Sequence, residues 1–212
     1  IRQFQVTKNY TCCDYMILHI GTFCTMDCAY CILQSYFHPP VLQYFVNHQK
    51  MFAEIDEFLA AGHYRRIGTG EYTDSMIWEL WTDLSQKLIP RFGAQSHAVL
   101  ELKTKTTFVN HIQGLSHNRR TILAWSVNTP LIIRYNERGT ASLDARIDAA
   151  EAALEPVLEG VGHPKRRRVV ERPAEGLADV CDFLDVAAQL REEFRGVAGV
   201  RIGADERAGR IY

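Results

Sequence analysis

The chain has 212 residues, 47% of them apolar and 23% charged, an ordinary globular composition that supports a core in one large domain or a domain with a modest appendage. A net charge of −1 excludes a global basic field for nucleic acid or an anionic membrane, leaving such a role to a local patch. No apolar run approaches the ~20 residues that span a bilayer, and residues 1–23 lack the basic start, apolar stretch and cleavage site of a signal peptide, so the expected location is cytoplasmic with no membrane partner.

Taken in chain order, "YMILHIGTF" (15–23) is a short apolar run that predicts a strand feeding a loop. Residues 42–62 carry apolar side chains at helical spacing and stop at Gly62, a C-cap candidate. A brief strand and a glycine turn follow in "YRRIGTGEYTD" (64–74). Residues 75–93 predict an amphipathic helix with Ser75 as its cap and Pro90 near its end. Strands are expected over 98–106 and 121–129, with a short helix or turn between them at 108–118. Residues 142–160 predict a helix that starts at Ser142 or Asp144. Strands alternating with helices imply a parallel sheet with crossover connections, here part of a barrel.

The last fifty or so residues change texture, with fewer aromatics and more Ala, Arg, Glu and Gly. "KRRR" (165–168) reads either as a phosphate contact or as a solvated turn. Residues 177–194 predict an amphipathic helix, and 197–212 one or two short strands. The expected division is therefore a core at 1–160 and a tail at 161–212, the tail being appended, divergent, or not continuous with the core.

Six cysteines lie at 12, 13, 24, 28, 31 and 181, and the clustering of five within twenty residues points to metal rather than to a disulfide scaffold. Cys24, Cys28 and Cys31 sit on one short loop. No second Cys-x-x-Cys or His pair follows at zinc-finger spacing, so three thiolates without a fourth suggest an open site. A cubane iron–sulfur cluster takes one thiolate per iron, and three cysteines would leave one iron free. Zinc or a disulfide is the alternative. Cys12, Cys13 and Cys181 are either small core residues or reactive thiols. His63, His111 and His117 fall near predicted loop ends.

Cys-x3-Cys-x2-Cys with Tyr30 before its last cysteine, on the loop after a first strand, resembles the radical S-adenosylmethionine (SAM) superfamily. The resemblance implies a partial (β/α) TIM-type barrel in which Cys24, Cys28 and Cys31 hold a [4Fe–4S] cluster. It further implies that the free iron chelates SAM, which one electron cleaves to methionine and a 5′-deoxyadenosyl radical. "GTGE" (68–71) resembles the family's turn for the SAM amino group, with Glu71 in the carboxylate role. "CAYCILQ" (28–34), "LKTKTTFVNHI" (102–112) and "WSVNTPLIIRYNERGTASLDARIDAA" (125–150) narrow the resemblance to the spore photoproduct lyase family. There Lys105, Ser126 and Asn128 are implied to help hold SAM, and Tyr30 to border its adenine. Implied partners are SAM, DNA carrying a thymine photoproduct, and an electron donor such as a flavodoxin or ferredoxin.

The pattern breaks at one step. The family's hydrogen donor is a cysteine in the turn after the second strand, assisted by tyrosines flanking the third cluster cysteine. Here that turn is "GTGEYTDS", holding Glu71 and Tyr72, and Ile32 follows Cys31 where the second tyrosine would stand. Tyr30 and Tyr72 are therefore the catalytic candidates. The family's late DNA-binding hairpin is unrecognisable in the tail. A relative acting on another nucleic acid, a peptide or a small molecule is the enzyme alternative, and a metal-stabilised binding module the non-enzyme one.

Overall fold

The computed structural model describes residues 1–3, 15–159, 204–205 and 210–211. A two-residue edge strand, β1 (Arg2–Gln3), runs antiparallel to β2 (Met16–Ile17). After β2 the chain leaves this sheet, and β3 (Gly21–Thr22) pairs antiparallel with β4 (Gln43–Tyr44) in a separate ribbon. Then β5 (Arg65–Gly68), β6 (Ala98–Thr104) and β7 (Thr121–Trp125) add in sequence order, each parallel to its neighbour. The sheet order β1-β2-β5-β6-β7 is an open, partial barrel of parallel strands with one antiparallel edge, the α/β architecture expected.

Parallel strands covered on both faces read as continuous apolar runs, and residues 98–102 of β6 are all buried. The exception in that run is Glu101, whose carboxylate is paired with Arg66 at 3.1 Å and reaches Lys103 at 4.0 Å. The helices are α1 (Leu33–Tyr36), α2 (His48–Ala60), α3 (Leu84–Gly93), α4 (Pro130–Asn136) and α5 (Leu143–Glu159). Leu84, Leu88, Ile89 and Phe92 form one face of α3, and Ile55 and Leu59 one face of α2. These stripes close one core with Ile67, Leu100, Leu102 and Trp125 of the sheet.

Several boundaries differ from the sequence reading. The helix expected at 42–62 starts only at His48, because Gln43 and Tyr44 are taken by the ribbon. Gly21 admits that pairing: a Cβ there would lie 2.4 Å from the Gln43 carbonyl and 2.8 Å from the Trp78 ring. The helix expected at 75–93 begins at Leu84. Ser75 does not cap it; its buried hydroxyl accepts from the Lys103 N–H at 2.9 Å, tying the turn to β6. Residues Ile77–Leu80 form a single 3-10 turn instead, and Glu79 takes both the N–H and the hydroxyl of Ser85. The strand expected at 15–23 splits between two sheets, and β6 and β7 end at 104 and 125, short of the expected 106 and 129. A 3-10 turn at Asn110–Ile112 links β6 to β7. Ser142 does cap α5, its hydroxyl accepting from Ala145 N at 3.2 Å.

The sequence reading missed α4, although Thr129 accepts from the Ile132 N–H and Pro130 stands at the first helical position, both ordinary start signals. The helix expected at 177–194 and the basic run at 165–168 lie outside the described residues. Within 197–212, β8 (Ala204–Asp205) and β9 (Arg210–Ile211) form an antiparallel pair. Among the described residues, no helix is long and apolar enough to cross a membrane.

Candidate active site at the strand ends

Past β2 the backbone winds tightly into the cysteine loop. Phe23 and Asp27, each immediately before a cysteine, adopt left-handed φ angles of 68° and 45°, uncommon for residues with a side chain. Cys24, Cys28 and Cys31 are all free thiols, with Cys28 buried and the other two partly exposed. Burial pushes the Cys24 thiol up to about 12, with the Asp74 carboxylate and Cys28 adding to the effect. Burial raises Cys28 as well; Lys105 and the Tyr30 hydroxyl pull it down, while Glu137 and Cys31 push it up. The loop is pinned from the other side by residues 136–140. Ala29 N–H donates to the Asn136 carbonyl at 2.7 Å, Cys28 and Glu137 form an antiparallel bridge, and Gly139 N–H donates to Met26 O at 2.9 Å. Arg138 pairs with Asp27 at 2.8 Å.

The glycine turn after β5 is organised by its neighbours. A Cβ on Gly68 would run into the Tyr15 hydroxyl, and one on Gly70 would lie 3.3 Å from Lys103 O and 2.9 Å from Ser75 Oγ. Both glycines therefore serve internal packing, a use the sequence reading did not assign them. Glu71 is half-buried, accepts a hydrogen bond from Tyr15, and lies 3.5 Å from Lys103 Nζ. Tyr15 is held well above its ordinary range by burial first and then by the Glu101 and Glu71 carboxylates, so it remains a neutral donor. Asp74, three residues on, is buried and accepts from Met76 N–H and Thr104 Oγ1 on one oxygen and from Lys105 N–H on the other, at 2.8–2.9 Å.

The ends of β6 and β7 bring three predicted residues beside the cysteine loop. Lys105 Nζ lies 5.9 Å from the centre of the Tyr30 ring. Asn128 Nδ2 donates to the Tyr30 hydroxyl at 3.2 Å and to Glu137 Oε1 at 2.7 Å. The Tyr30 hydroxyl itself donates to Glu137 Oε1. Ser126 is buried, and its carbonyl accepts from Arg146 Nη1 at 2.6 Å. Tyr30, Lys105 and Asn128 thus meet beside the cysteine loop, Ser126 is tied to them only through its carbonyl and Arg146, and Glu71 instead pairs with Tyr15 and Lys103. Tyr72 is also separate. Its ring packs against His19 at 4.7 Å, Phe37 at 6.2 Å and, nearly parallel, Tyr36 at 6.3 Å.

The sequence reading did not single out Glu137, Arg146, Asp74 or Tyr15. Arg146 was the most legible of them, since Leu143, Arg146 and Ala150 share one helical face and both apolar members are buried. His111 pairs with Glu79 at 2.8 Å, away from the cysteines, His117 accepts from Arg119 N–H, and His63 is exposed. Cys12, Cys13 and Cys181 lie outside the described residues.

Among the described residues, no group of three or more His, Cys, Asp or Glu side chains is gathered closely enough to hold a metal ion, so the three thiols share one loop without converging on one point. The donor set is open: three free thiols on one loop, each of Cys24 and Cys28 perturbed by the next cysteine along. This suits a cluster held by three cysteines that replaces their protons on binding. A three-cysteine loop at the mouth of the first parallel strand of a partial barrel is the arrangement of radical SAM proteins.

Comparison with known proteins narrows that class. The family model "Spore photoproduct lyase" matches residues 2–157, and the chain belongs to the spore photoproduct lyase family. It is 31% identical over 134 residues to the spore photoproduct lyase of Geobacillus sp. (strain Y412MC61), covering 62% of this chain and 39% of the relative. The enzyme of Bacillus subtilis (strain 168) is 29% identical over 133 residues, covering 61% and 39%. Among solved structures, a spore photoproduct lyase mutant with bound AdoMet and dinucleoside spore photoproduct superposes with a TM-score of 0.61 at 27% identity, covering 66% of this chain and 42% of that one. The complex with dinucleoside spore photoproduct gives a TM-score of 0.62 at 28% identity over the same shares. The chain thus spans about two fifths of the length of its relatives.

Proposed function

We propose that the chain is a radical SAM enzyme of the spore photoproduct lyase type, acting on a dinucleoside photoproduct in DNA. The observation that carries this reading is the meeting of Tyr30, Lys105 and Asn128 beside a loop of three free cysteines. Cys24, Cys28 and Cys31 would hold a [4Fe–4S] cluster, which together with SAM supplies a 5′-deoxyadenosyl radical on one-electron reduction. Glu71 suits the SAM ammonium and Lys105 its carboxylate, both charge-assisted contacts. Ser126 and Asn128 can address ribose hydroxyls or the carboxylate. Tyr30, fixed at its hydroxyl, would offer its ring to the adenine. Tyr72 is the second catalytic candidate, held in an aromatic group on the opposite turn. The reading also carries a cytoplasmic location and a flavodoxin or ferredoxin as reductant.

A second reading keeps the radical chemistry and changes the substrate. It is favoured by Tyr72 standing in the turn where the family has its cysteine, and by Ile32, 68% exposed, where a tyrosine relay would be. Anaerobic reconstitution with iron and sulfide, followed by reduction with SAM and product analysis, tests both. Release of 5′-deoxyadenosine with matching repair of a photoproduct dinucleotide supports the first reading. 5′-deoxyadenosine with by-products in place of matching thymine is the leaky quenching that the missing donor predicts under the first reading, and absence of any reaction on the dinucleotide supports the second. Cys24→Ala, Cys28→Ala and Cys31→Ala are each expected to abolish SAM cleavage, since each removes an iron's protein ligand; normal cleavage in any of them overturns the cluster assignment.

A further inference from the structure

Arg146 is the largest fully buried side chain of the described residues, at 0% exposure, and Glu137 beside it is 2% exposed. Their ion pair, Nη2 to Oε2 at 2.5 Å, lies outside the set of residues assigned to the cluster or SAM. A buried charge pair is weak evidence for stability and calls for a reason. The hydrogen bonds around it supply one. Arg146 donates from Nε to Ala141 O at 2.9 Å, from Nη1 to Ser126 O at 2.6 Å, and from Nη2 also to Thr140 Oγ1 at 2.6 Å. Glu137 then accepts from Asn128 and Tyr30 on its other oxygen. A single guanidinium therefore links the end of β7, the turn before α5 and, through Glu137, the residue before the third cysteine.

The backbone of the same segment carries the cysteine loop. Residues 136–139 bond to Met26 and Ala29 and bridge Cys28. At Gly139 a Cβ would lie 2.9 Å from Met26 Cα and 3.0 Å from Thr25 O, so the two segments touch without room for a side chain. We propose that Glu137 and Arg146 are positioning residues: a buried clamp that fixes the cysteine loop and the Tyr30 ring from behind. The planar fork of arginine is required, because a point charge cannot face two carbonyls, a hydroxyl and a carboxylate together. The role assigned to the loop rests on the proposed function; the clamp itself is a property of the apoprotein.

The test is alkylation of the full chain with iodoacetamide, cysteine by cysteine, read by mass spectrometry. Arg146→Lys keeps the charge and loses the fork. Gly139→Ala leaves the ion pair intact and pushes the two segments apart. In each folded variant Cys28 is expected to react about tenfold faster or more, because its protection reflects local opening. The same variants should take up iron on reconstitution yet bind SAM about tenfold more weakly, with the reduced-cluster spectrum changed by SAM differently from the parent. An unchanged Cys28 rate in folded Arg146→Lys overturns the proposal. So does an equal acceleration at Cys12, Cys13 and Cys181, which would mean general loosening. If Arg146→Lys does not fold, Gly139→Ala decides by the same rates. If the parent protein fails to bind SAM, the functional reading falls while the alkylation rates still judge the clamp.

Discussion

Two carboxylates hold the two sides of the mouth, and they are kept in different ways. Asp74 stands behind the glycine turn and the backbone of Lys105; Glu137 stands behind the cysteine loop, Tyr30 and Asn128. Both are buried. For Asp74 burial dominates and raises the carboxyl, against hydrogen bonds from Met76 N–H, Thr104 and Lys105 N–H and the more distant Lys105 charge. For Glu137 burial also pushes upward, but bonds from Tyr30 and Arg146, the Arg146 charge and Asn128 together hold the carboxyl below its ordinary range. Burial acts on both: at Glu137 the Tyr30 bond with the Arg146 bond and charge outweighs it, and at Asp74 the neutral donors and the Lys105 charge do not. The turn is held by neutral donors, whereas the loop is held by an ion pair.

The sharpest way to break this comparison is to remove the counter-charge. Arg146→Met should leave Glu137 as an uncompensated buried carboxylate and cost about 3–5 kcal/mol of folding stability. Adding Glu137→Gln should recover much of that loss, since replacing both members of a buried pair is far milder than replacing one. Urea denaturation of the parent, the single and the double variant reads both effects. A double variant no more stable than the single would show that the arginine acts through packing and its carbonyl bonds.

At the turn the corresponding change should be smaller. Asp74→Asn removes a charge that has no ion-pair partner in contact among the described residues, so it strands no opposite charge there. Yet the carboxylate accepts main-chain N–H groups on both oxygens, and an amide has one acceptor end. With its oxygen toward Met76 and Thr104, its NH2 would face the Lys105 N–H, donor against donor. The expected cost is about 1–3 kcal/mol, the loss of one buried donor's acceptor. A cost matching that of Arg146→Met would mean the two sides do not differ in the way the contacts indicate.

The two sides also differ in how far the sequence revealed them. The parallel order of β2, β5, β6 and β7 was legible, because apolar runs and helical spacing alternate along the chain. That Cys24, Cys28 and Cys31 share one short loop was legible from spacing alone. What sequence could not show was which polar residues are internal. Ser75 has the look of a helix cap and instead ties its turn to β6. Gln43 and Tyr44 continue a helical pattern and instead pair with Gly21 and Thr22, a contact more than twenty residues away. Glu137 lies in the family-like stretch at 125–150, where nothing local marks it as internal; only its partner on α5 makes it a buried acceptor. Arg146 interrupts an apolar stripe, a local mark of burial that needed no partner to be seen.

His19 sharpens the comparison with a base instead of an acid. Its ring lies 5.0 Å from Phe45 and 4.7 Å from Tyr72, and its buried Nε2 has no hydrogen-bond partner among the described residues. Burial lowers it below its ordinary value of 6.5, the positive charge of Arg2 lowers it further, and a backbone bond with Gly21 opposes both. Like Asp74, it has no counter-charge in contact among the described residues, and burial disfavours its charged form. The sign for stability follows from which state holds the proton. Below pH 6.5 the unfolded chain protonates this imidazole while the folded chain resists, so the unfolded state binds more protons. Stability should be fully present above that pH and should fall as pH drops toward the folded-state value. The effect is the smallest of the three, because the ring is only partly shielded from solvent. Urea midpoints of the parent and of His19→Gln, compared across pH 7.5 to 5 at roughly half-unit steps, isolate it from the other histidines. The parent should lose more stability on acidification than the variant. Equal losses would mean that His19 gains a proton in the folded state as readily as in the unfolded one.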